Sequence, residues 1–115
     1  VAANAGETFV SSAQTITASG NLTIAHGLSA APKFVTLKIT CTSAELGYSI
    51  GDEILIPPTH TFLSGGNNRV TLTEVDATSI YVRFATVGPF VIRRKSGSEA
   101  FITPGNWNLT VIASV

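Results

Sequence analysis

The stretch KFVTLKITCTSAELGYSIGDEILI, residues 33–56, decides the fold of this chain. Every second residue of its first half is apolar and would lie on one side of an extended chain: Val35, Leu37, Ile39 and Cys41. The residues between them are two threonines and a lysine. A period of two that is rich in β-branched residues is typical of a half-buried strand. The first half of the stretch is therefore predicted to be one long strand.

The second half of the stretch departs from this alternation. Gly47 and Gly51 stand four residues apart, which favours a shaped connection over a regular strand. A new apolar run at residues 54–56 follows and ends at the Pro57-Pro58 pair. The sequence thus predicts a long strand, a structured loop and a return strand at the centre of a β-domain.

Short alternating segments are predicted on both sides of this centre. They fall near residues 9–18, 22–25, 69–73, 79–84, 90–94 and 100–103. Residues 64–68, Ser-Gly-Gly-Asn-Asn, are predicted to form a turn. The last strand has one apolar face, made of Trp107, Leu109, Val111 and Ala113. We expect Trp107 to lie in the core because it is in phase with the apolar residues that follow it.

The fold class expected from this pattern is all-β. No stretch has useful helical periodicity, and about seven to nine short strands favour a single antiparallel β-sandwich, with jelly-roll topology as the leading option. The sandwich domain takes residues 9–115. Residues 1–8 are small and polar, and are predicted to form a flexible N-terminal arm. Such an arm either frays or becomes ordered on a neighbouring subunit, and the sequence leaves both options open.

The composition of the chain argues for contact with other protein chains. The 115 residues suit one domain, and the formal net charge is zero. A neutral chain is a poor ligand for nucleic acid or for an anionic membrane. Charged residues make up 12% of the sequence and hydrophobic residues 44%, whereas an average domain has about 25% charged residues. We therefore expect apolar surface to be covered by partner chains.

Several motifs together resemble a small β-sandwich module of tailed-bacteriophage virion proteins. They are His26-Gly27-Leu28, Pro32, the long strand ending at Cys41, and the sequence AELGYSIGDE at residues 44–53. Near the C-terminus, Phe101-Ile102-Thr103 and Asn106-Trp107-Asn108-Leu109 are similar to the same module. The resemblance covers roughly residues 22–115. Modules of this kind occur in tail-fibre tips and in capsid decoration or cement proteins, and the resemblance implies a homotrimer.

Candidate metal ligands and catalytic groups are few. The single cysteine, Cys41, excludes an intrachain disulfide and is expected to be a small buried hydrophobe. The spacing of His26 and His60 matches no metal motif, and His26 is expected to hydrogen-bond backbone in its turn. Glu45, Asp52 and Glu53 lack the spacing of a calcium loop, and glycoside hydrolysis would need a sugar cleft between two carboxylates. A solvated or interface-paired acidic turn is the favoured interpretation.

Five residues are candidates for contact with a partner subunit or a receptor. Arg93, Arg94 and Lys95 form the one basic run, which either meets water or contacts an acidic patch on a neighbouring subunit. Tyr48 and Tyr81 are candidates for stacking on sugars or for anchoring an interface.

These expectations lead to one functional hypothesis and one alternative. We expect a non-enzymatic structural protein on the exterior of a tailed-phage virion, namely a capsid decoration or cement protein that bridges capsid subunits. Its partners would be two further copies of the chain in a homotrimer and the major capsid protein or other virion proteins. The alternative is a tail-fibre tip or receptor-binding domain that recognises a host-surface glycan. We expect no cofactor, no metal, no nucleic-acid partner and no membrane partner.

Overall fold

The computed structural model describes residues 6–61 and 70–115. Its strands follow the alternation of apolar and polar residues in the sequence. The described residues form eleven strands and one 3₁₀ turn, at Pro104–Asn106. In chain order the strands are β1 (Thr8–Val10), β2 (Gln14–Thr15), β3 (Asn21–Ala25), β4 (Phe34–Cys41), β5 (Glu53–Ile56), β6 (His60–Thr61), β7 (Val70–Val75), β8 (Ser79–Arg83), β9 (Val91–Arg93), β10 (Glu99–Phe101) and β11 (Trp107–Ser114).

The predicted long strand, β4, lies near the middle of the larger sheet, which we call sheet I. Its order is β1-β11-β4-β5, and β2 also pairs with β11. Strand β4 pairs antiparallel with β11 along its whole length, from Phe34 opposite Ser114 to Cys41 opposite Trp107. On its other side β4 pairs with β5, so the predicted strand, loop and return strand are confirmed.

A second sheet, sheet II, has the order β3-β8-β7-β6, and β9 and β10 form a separate hairpin. Both sheets turn an apolar face to one core cluster. Leu37, Ile39 and Leu109 of sheet I join Ile80 and Val82 of sheet II there, and all five are fully buried. The all-β class with antiparallel sheets is thus confirmed, in a sandwich-like arrangement. The chain crosses between the sheets several times, as it does in jelly-roll-like sandwiches.

The segment at residues 9–18 is two short strands, not the one strand predicted. The ladder with β11 is interrupted at Ser11, whose hydroxyl accepts a hydrogen bond of 2.9 Å from the Val111 N–H. The Ser11 N–H in turn donates to the Val111 carbonyl at 2.9 Å. Because a side-chain oxygen replaces a backbone acceptor, regular pairing stops here and resumes at β2.

Strand β7 places a threonine in the core, on the side that also carries Thr73 and Val75. Thr71 is fully buried, whereas Val70 and Leu72 are exposed. The Thr71 hydroxyl donates to the Pro89 carbonyl at 2.6 Å and accepts from the Ala85 N–H at 3.1 Å. A shift of one residue would move every side chain to the opposite face. These two hydrogen bonds are therefore a physical reason for the observed register.

The turn after β3 depends on a buried histidine, as predicted. The His26 Nδ1 atom lies 2.9 Å from the Leu28 N–H, and Nε2 lies 2.9 Å from the Asp76 carbonyl. An N–H can only donate and a carbonyl can only accept, so Nε2 carries the proton and Nδ1 is the acceptor. The neutral ring therefore ties the turn after β3 to the β7–β8 connection.

The N-terminal side of the described chain is fastened to sheet I. The Glu7 carboxylate accepts hydrogen bonds from the Ser29 N–H at 2.9 Å and from its hydroxyl at 2.8 Å. The Val115 N–H donates to the Glu7 carbonyl at 3.2 Å, and Thr8 begins β1. Residues 1–5 of the predicted arm, and the turn predicted at residues 64–68, lie outside the described residues.

We predict that Trp107→Ala destabilises the fold by about 3–5 kcal/mol, because it removes an indole that is 1% exposed and leaves a large cavity. Urea denaturation of both proteins measures the difference. That loss is a large fraction of the free energy of unfolding of a typical domain, which is about 5–15 kcal/mol. A variant that unfolds at the same urea concentration as the parent would contradict the core position of this indole.

Candidate interaction surfaces

The loop between β4 and β5 is held in one conformation by its own hydrogen bonds. The Cys41 N–H donates to the Asp52 carbonyl at 2.9 Å, and the Gly51 N–H donates to the Cys41 carbonyl at 2.8 Å. Within the loop, the Ser49 N–H donates to the Asp52 carboxylate at 2.9 Å. Gly47 and Gly51 adopt φ angles of 86° and 95°, which side chains disfavour. The two glycines that predicted a shaped connection therefore have a physical role.

The Glu45 carboxylate joins this loop to the turn before β11. Its Oε1 atom accepts hydrogen bonds from the Thr103 N–H at 2.8 Å and from the Trp107 indole at 2.6 Å. Its Oε2 atom accepts from the Asn106 amide at 3.1 Å. Burial alone would raise the pKa of Glu45, but these hydrogen bonds outweigh it and hold the pKa below the ordinary 4.5.

The three carboxylates at residues 45–53 do not form a shared site. Asp52 lies 3.6 Å from Lys95, and Glu53 lies 2.9 Å from Lys38. The Ser49 N–H, together with the Lys95 ammonium, lowers the pKa of Asp52 below 3.8. The prediction of a solvated or interface-paired acidic turn is thus wrong for Glu45, whose carboxylate accepts hydrogen bonds from its own chain. Within residues 6–61 and 70–115 no group of three or more His, Cys, Asp or Glu side chains could hold a metal ion.

Four of the five predicted contact residues lie together at one end of the sandwich. The Tyr48 hydroxyl donates to the Arg93 carbonyl at 2.5 Å, and the Lys95 ammonium lies 5.7 Å from the centre of the Tyr48 ring. The backbone N–H of Lys95 donates to the Leu46 carbonyl at 3.1 Å, which fastens the β9–β10 turn to the β4–β5 loop. Arg94 is exposed between these residues, and no described residue pairs with its guanidinium.

The same loop carries an exposed apolar side chain, Ile50, which the sequence pattern did not predict to be a contact residue. Ile50 is 73% exposed at the tip of the loop. An isolated isoleucine between Ser49 and Gly51 was the only local signal. We call Tyr48, Ile50, Arg93, Arg94 and Lys95 together the loop end. It is a fixed surface that combines one exposed apolar side chain with three cations.

Tyr81, the fifth predicted contact residue, lies elsewhere, on the outer face of sheet II. Its hydroxyl donates to the Asp76 carboxylate at 2.9 Å, and the Arg83 guanidinium lies 5.6 Å from its ring centre. The N–H groups of Thr78 and Ser79, with the Tyr81 hydroxyl, lower the pKa of Asp76 to about 2. The same hydrogen bond raises the pKa of Tyr81 above 10.0. Tyr81 therefore belongs to a polar network and not to the loop end.

The outer face of sheet I is a third surface, and it is almost uncharged. Its side chains alternate with the buried ones and are Thr8, Val10, Thr15, Phe34, Thr36, Lys38, Thr40, Glu53, Leu55, Asn108, Thr110, Ile112 and Ser114. Phe34 and Leu55 are each 68% exposed, and Val10 is 59% exposed. The two charged residues of this face, Lys38 and Glu53, form an ion pair with each other.

Comparisons with known proteins do not assign the chain to a family. No family model, curated protein or solved structure matches it. In the described part of the chain, no helix is long and apolar enough to cross a membrane.

We predict that Glu45→Gln lowers the free energy of unfolding by about 1–3 kcal/mol at neutral pH. An amide keeps one acceptor oxygen and turns its NH₂ group toward donors. The folded-state pKa of Glu45 is depressed, so its contribution is fully present above pH 4.5 and is lost as the pH falls through the folded value. The difference in the free energy of unfolding between parent and variant should therefore become smaller below pH 4.5. Urea denaturation of both proteins across that range measures it.

The matched control is Glu53→Gln, which removes the same charge from a half-exposed surface pair. Such pairs contribute about 0–1 kcal/mol, so this variant should remain close to the parent. Equal losses in both variants would show that Glu45 has no special role in joining the loop to β11.

Proposed function

We propose that this chain is a structural protein on the exterior of a tailed-phage virion. It acts as a capsid decoration or cement protein, binding the shell as a homotrimer and stabilising it by bridging capsid subunits. The resemblance over roughly residues 22–115 supports the class of protein. The observation that supports the mode of action most is the loop end, where a hydrogen-bonded loop holds Ile50 exposed and is joined by the Lys95 N–H to the turn that carries Arg94 and Lys95.

The proposed mechanism is mechanical and needs no substrate, cofactor or metal. A loop that is already ordered pays less conformational entropy when it binds. The exposed Ile50 would enter an apolar depression between capsid subunits, where burial stabilises at about 25 cal/mol per Å². Arg94 would meet an acidic patch at the rim, which favours correct orientation and fast association.

The alternative function, a tail-fibre tip that recognises a host-surface glycan, would use the predicted stacking tyrosines. Stacking on a sugar needs an open ring face. In both Tyr48 and Tyr81 a cation from the same chain lies within 6 Å of the ring centre, at 5.7 and 5.6 Å. Each hydroxyl also donates to a group of the same chain. These contacts favour the decoration protein over the glycan-binding tip.

The test of the proposed function is a binding experiment with particles. We predict that the purified chain sediments with capsids of its own phage from which it has been removed, and that it raises their resistance to heat. Intact host cells provide the opposing target. If the chain binds host cells and not capsids, the receptor-binding tip replaces the decoration protein.

Charge reversal at the loop end sharpens this test. We predict that Arg94→Glu weakens capsid binding about tenfold or more, because a carboxylate would face the acidic patch. Lys33→Glu is the matched control, since Lys33 is also exposed but precedes β4 at the end opposite the loop. The eight residues of β4, at about 3.3 Å each, put the two ends about 26 Å apart. An equal loss of capsid binding in both variants would indicate a general charge effect and would remove the loop end from the mechanism.

A further inference from the structure

Strand β3 (Asn21–Ala25) is an edge of sheet II. It pairs with β8 along all five of its residues, and among the described residues no strand pairs with its other side. Its sequence, Asn-Leu-Thr-Ile-Ala, has no charge, no proline and no glycine. An edge of this kind is a ready template for another strand, and proteins commonly protect such edges with charges, prolines or bulges.

The edges of sheet I have the protection that β3 lacks. Strand β1 is three residues long, and its ladder with β11 is interrupted at Ser11. Strand β5 carries the charge of Glu53 and is followed at once by Pro57-Pro58. Of these three edge strands, β3 is therefore the one most open to a further strand.

The hydrogen bonds at the ends of β3 show which backbone groups its free side presents. The Phe84 N–H donates to the Gly20 carbonyl at 2.9 Å, and the His26 N–H donates to the Thr78 carbonyl at 3.1 Å. Hydrogen-bonded and non-hydrogen-bonded pairs alternate along an antiparallel ladder, so the even-numbered residues of β3 bond to β8. The residues whose N–H and carbonyl groups point away from the sheet are Asn21, Thr23 and Ala25.

The side chains of β3 indicate what kind of strand would fit. Leu22 lies opposite Val82, and Ile24 lies opposite Ile80. Val82 and Ile80 are fully buried, whereas Leu22 and Ile24 pack against the same core but are only partly buried. A further strand with an apolar residue at every second position would continue this row and cover both side chains.

We propose that the free side of β3 binds an extended segment of a shell subunit, which adds to sheet II as a further strand. This inference rests on the proposed function and names one of its contacts. The segment is uncharged, because β3 offers no charge to pair with, and alternates apolar and polar residues. A second copy is a poorer occupant, because β3 paired with β3 closes after two copies and the proposed assembly has three.

The probe for this edge is the synthetic peptide Lys-Thr-Val-Thr-Ile-Thr-Val-Thr-Lys, whose terminal lysines keep it soluble. NMR of the isotope-labelled full chain measures amide hydrogen exchange as the peptide is added. At saturation the amides of Asn21, Thr23 and Ala25 should exchange about tenfold more slowly, because they become hydrogen-bonded. Leu22 and Ile24 are the internal control, since their amides already face β8 and should change little.

A proline in β3 tests the edge from the side of the protein. Proline is tolerated in an edge strand where the N–H would face solvent, so Thr23→Pro removes an outward donor without removing a bond to β8. We expect this variant to bind both the peptide and capsids about tenfold more weakly. Leu55→Pro is the matched control, because by the same alternation the Leu55 N–H lies on the free side of β5, and it should bind like the parent.

Modified peptides cover the case in which Thr23→Pro does not fold. In an added strand only every second amide of the peptide faces β3. N-methylation of one alternate set should therefore abolish binding to the parent chain, whereas N-methylation of the other set should not. Equal binding of the two methylated peptides, unchanged exchange at Thr23, or full peptide binding by a folded Thr23→Pro variant would overturn the inference.

Capsids separate this inference from the proposed function. If the parent and a folded Thr23→Pro variant bind capsids equally well, the edge is overturned and the decoration role remains. If the parent binds the peptide at β3 but binds no capsids, the proposed function is overturned and β3 remains a strand-binding edge.

Discussion

The antiparallel ladder between β4 and β11 is the constraint on which the rest of the structure depends. It joins residues 34–41 to residues 107–114 along eight residue pairs, with β1 and β2 paired to β11 on one side and β5 paired to β4 on the other. Its inner side chains, among them Leu37 and Leu109, are half of the core that sheet II covers. Closing so long a loop costs conformational entropy, and although this cost grows only slowly with loop length, such non-local pairing slows folding. The fold is therefore cooperative around one pairing.

The Glu45 carboxylate extends this ladder beyond its last residue pair. Cys41 and Trp107 end the pairing, and Glu45 then accepts hydrogen bonds from the Trp107 indole and from the turn before it. A carboxylate that accepts several hydrogen bonds has a low pKa and is held firmly in place. The loop that carries Tyr48 and Ile50 is thus fixed to the core, and the position of the loop end follows from the fold.

Alternation in the sequence was enough to predict β4, β8 and β11, because each has one apolar face that can only point inward. The same alternation did not predict the structure where a side-chain hydroxyl determines the strand pairing or the burial. Ser11 interrupts the first strand by accepting from Val111, and Thr71 is buried in place of its apolar neighbours because it bonds Ala85 and Pro89. The basic run and Tyr48 were local signals, whereas nothing near Glu45 in the sequence indicates its contact with Trp107. Contacts between distant residues leave no trace in a periodic pattern.

The scarcity of charge has a further consequence for how the surface behaves. Most of the described carboxylates are engaged within the chain: Glu45 with the C-terminal turn, Glu74 with Arg83, Asp76 with Tyr81, Glu53 with Lys38 and Asp52 with Lys95. Three of these contacts are ion pairs, which produce little field at a distance, and salt screens the remaining charges within about 8–10 Å. Long-range electrostatic steering is therefore weak over most of this molecule. The outer face of sheet I offers shape and apolar area and almost no charge, whereas Arg94 at the loop end is a place where salt concentration should matter.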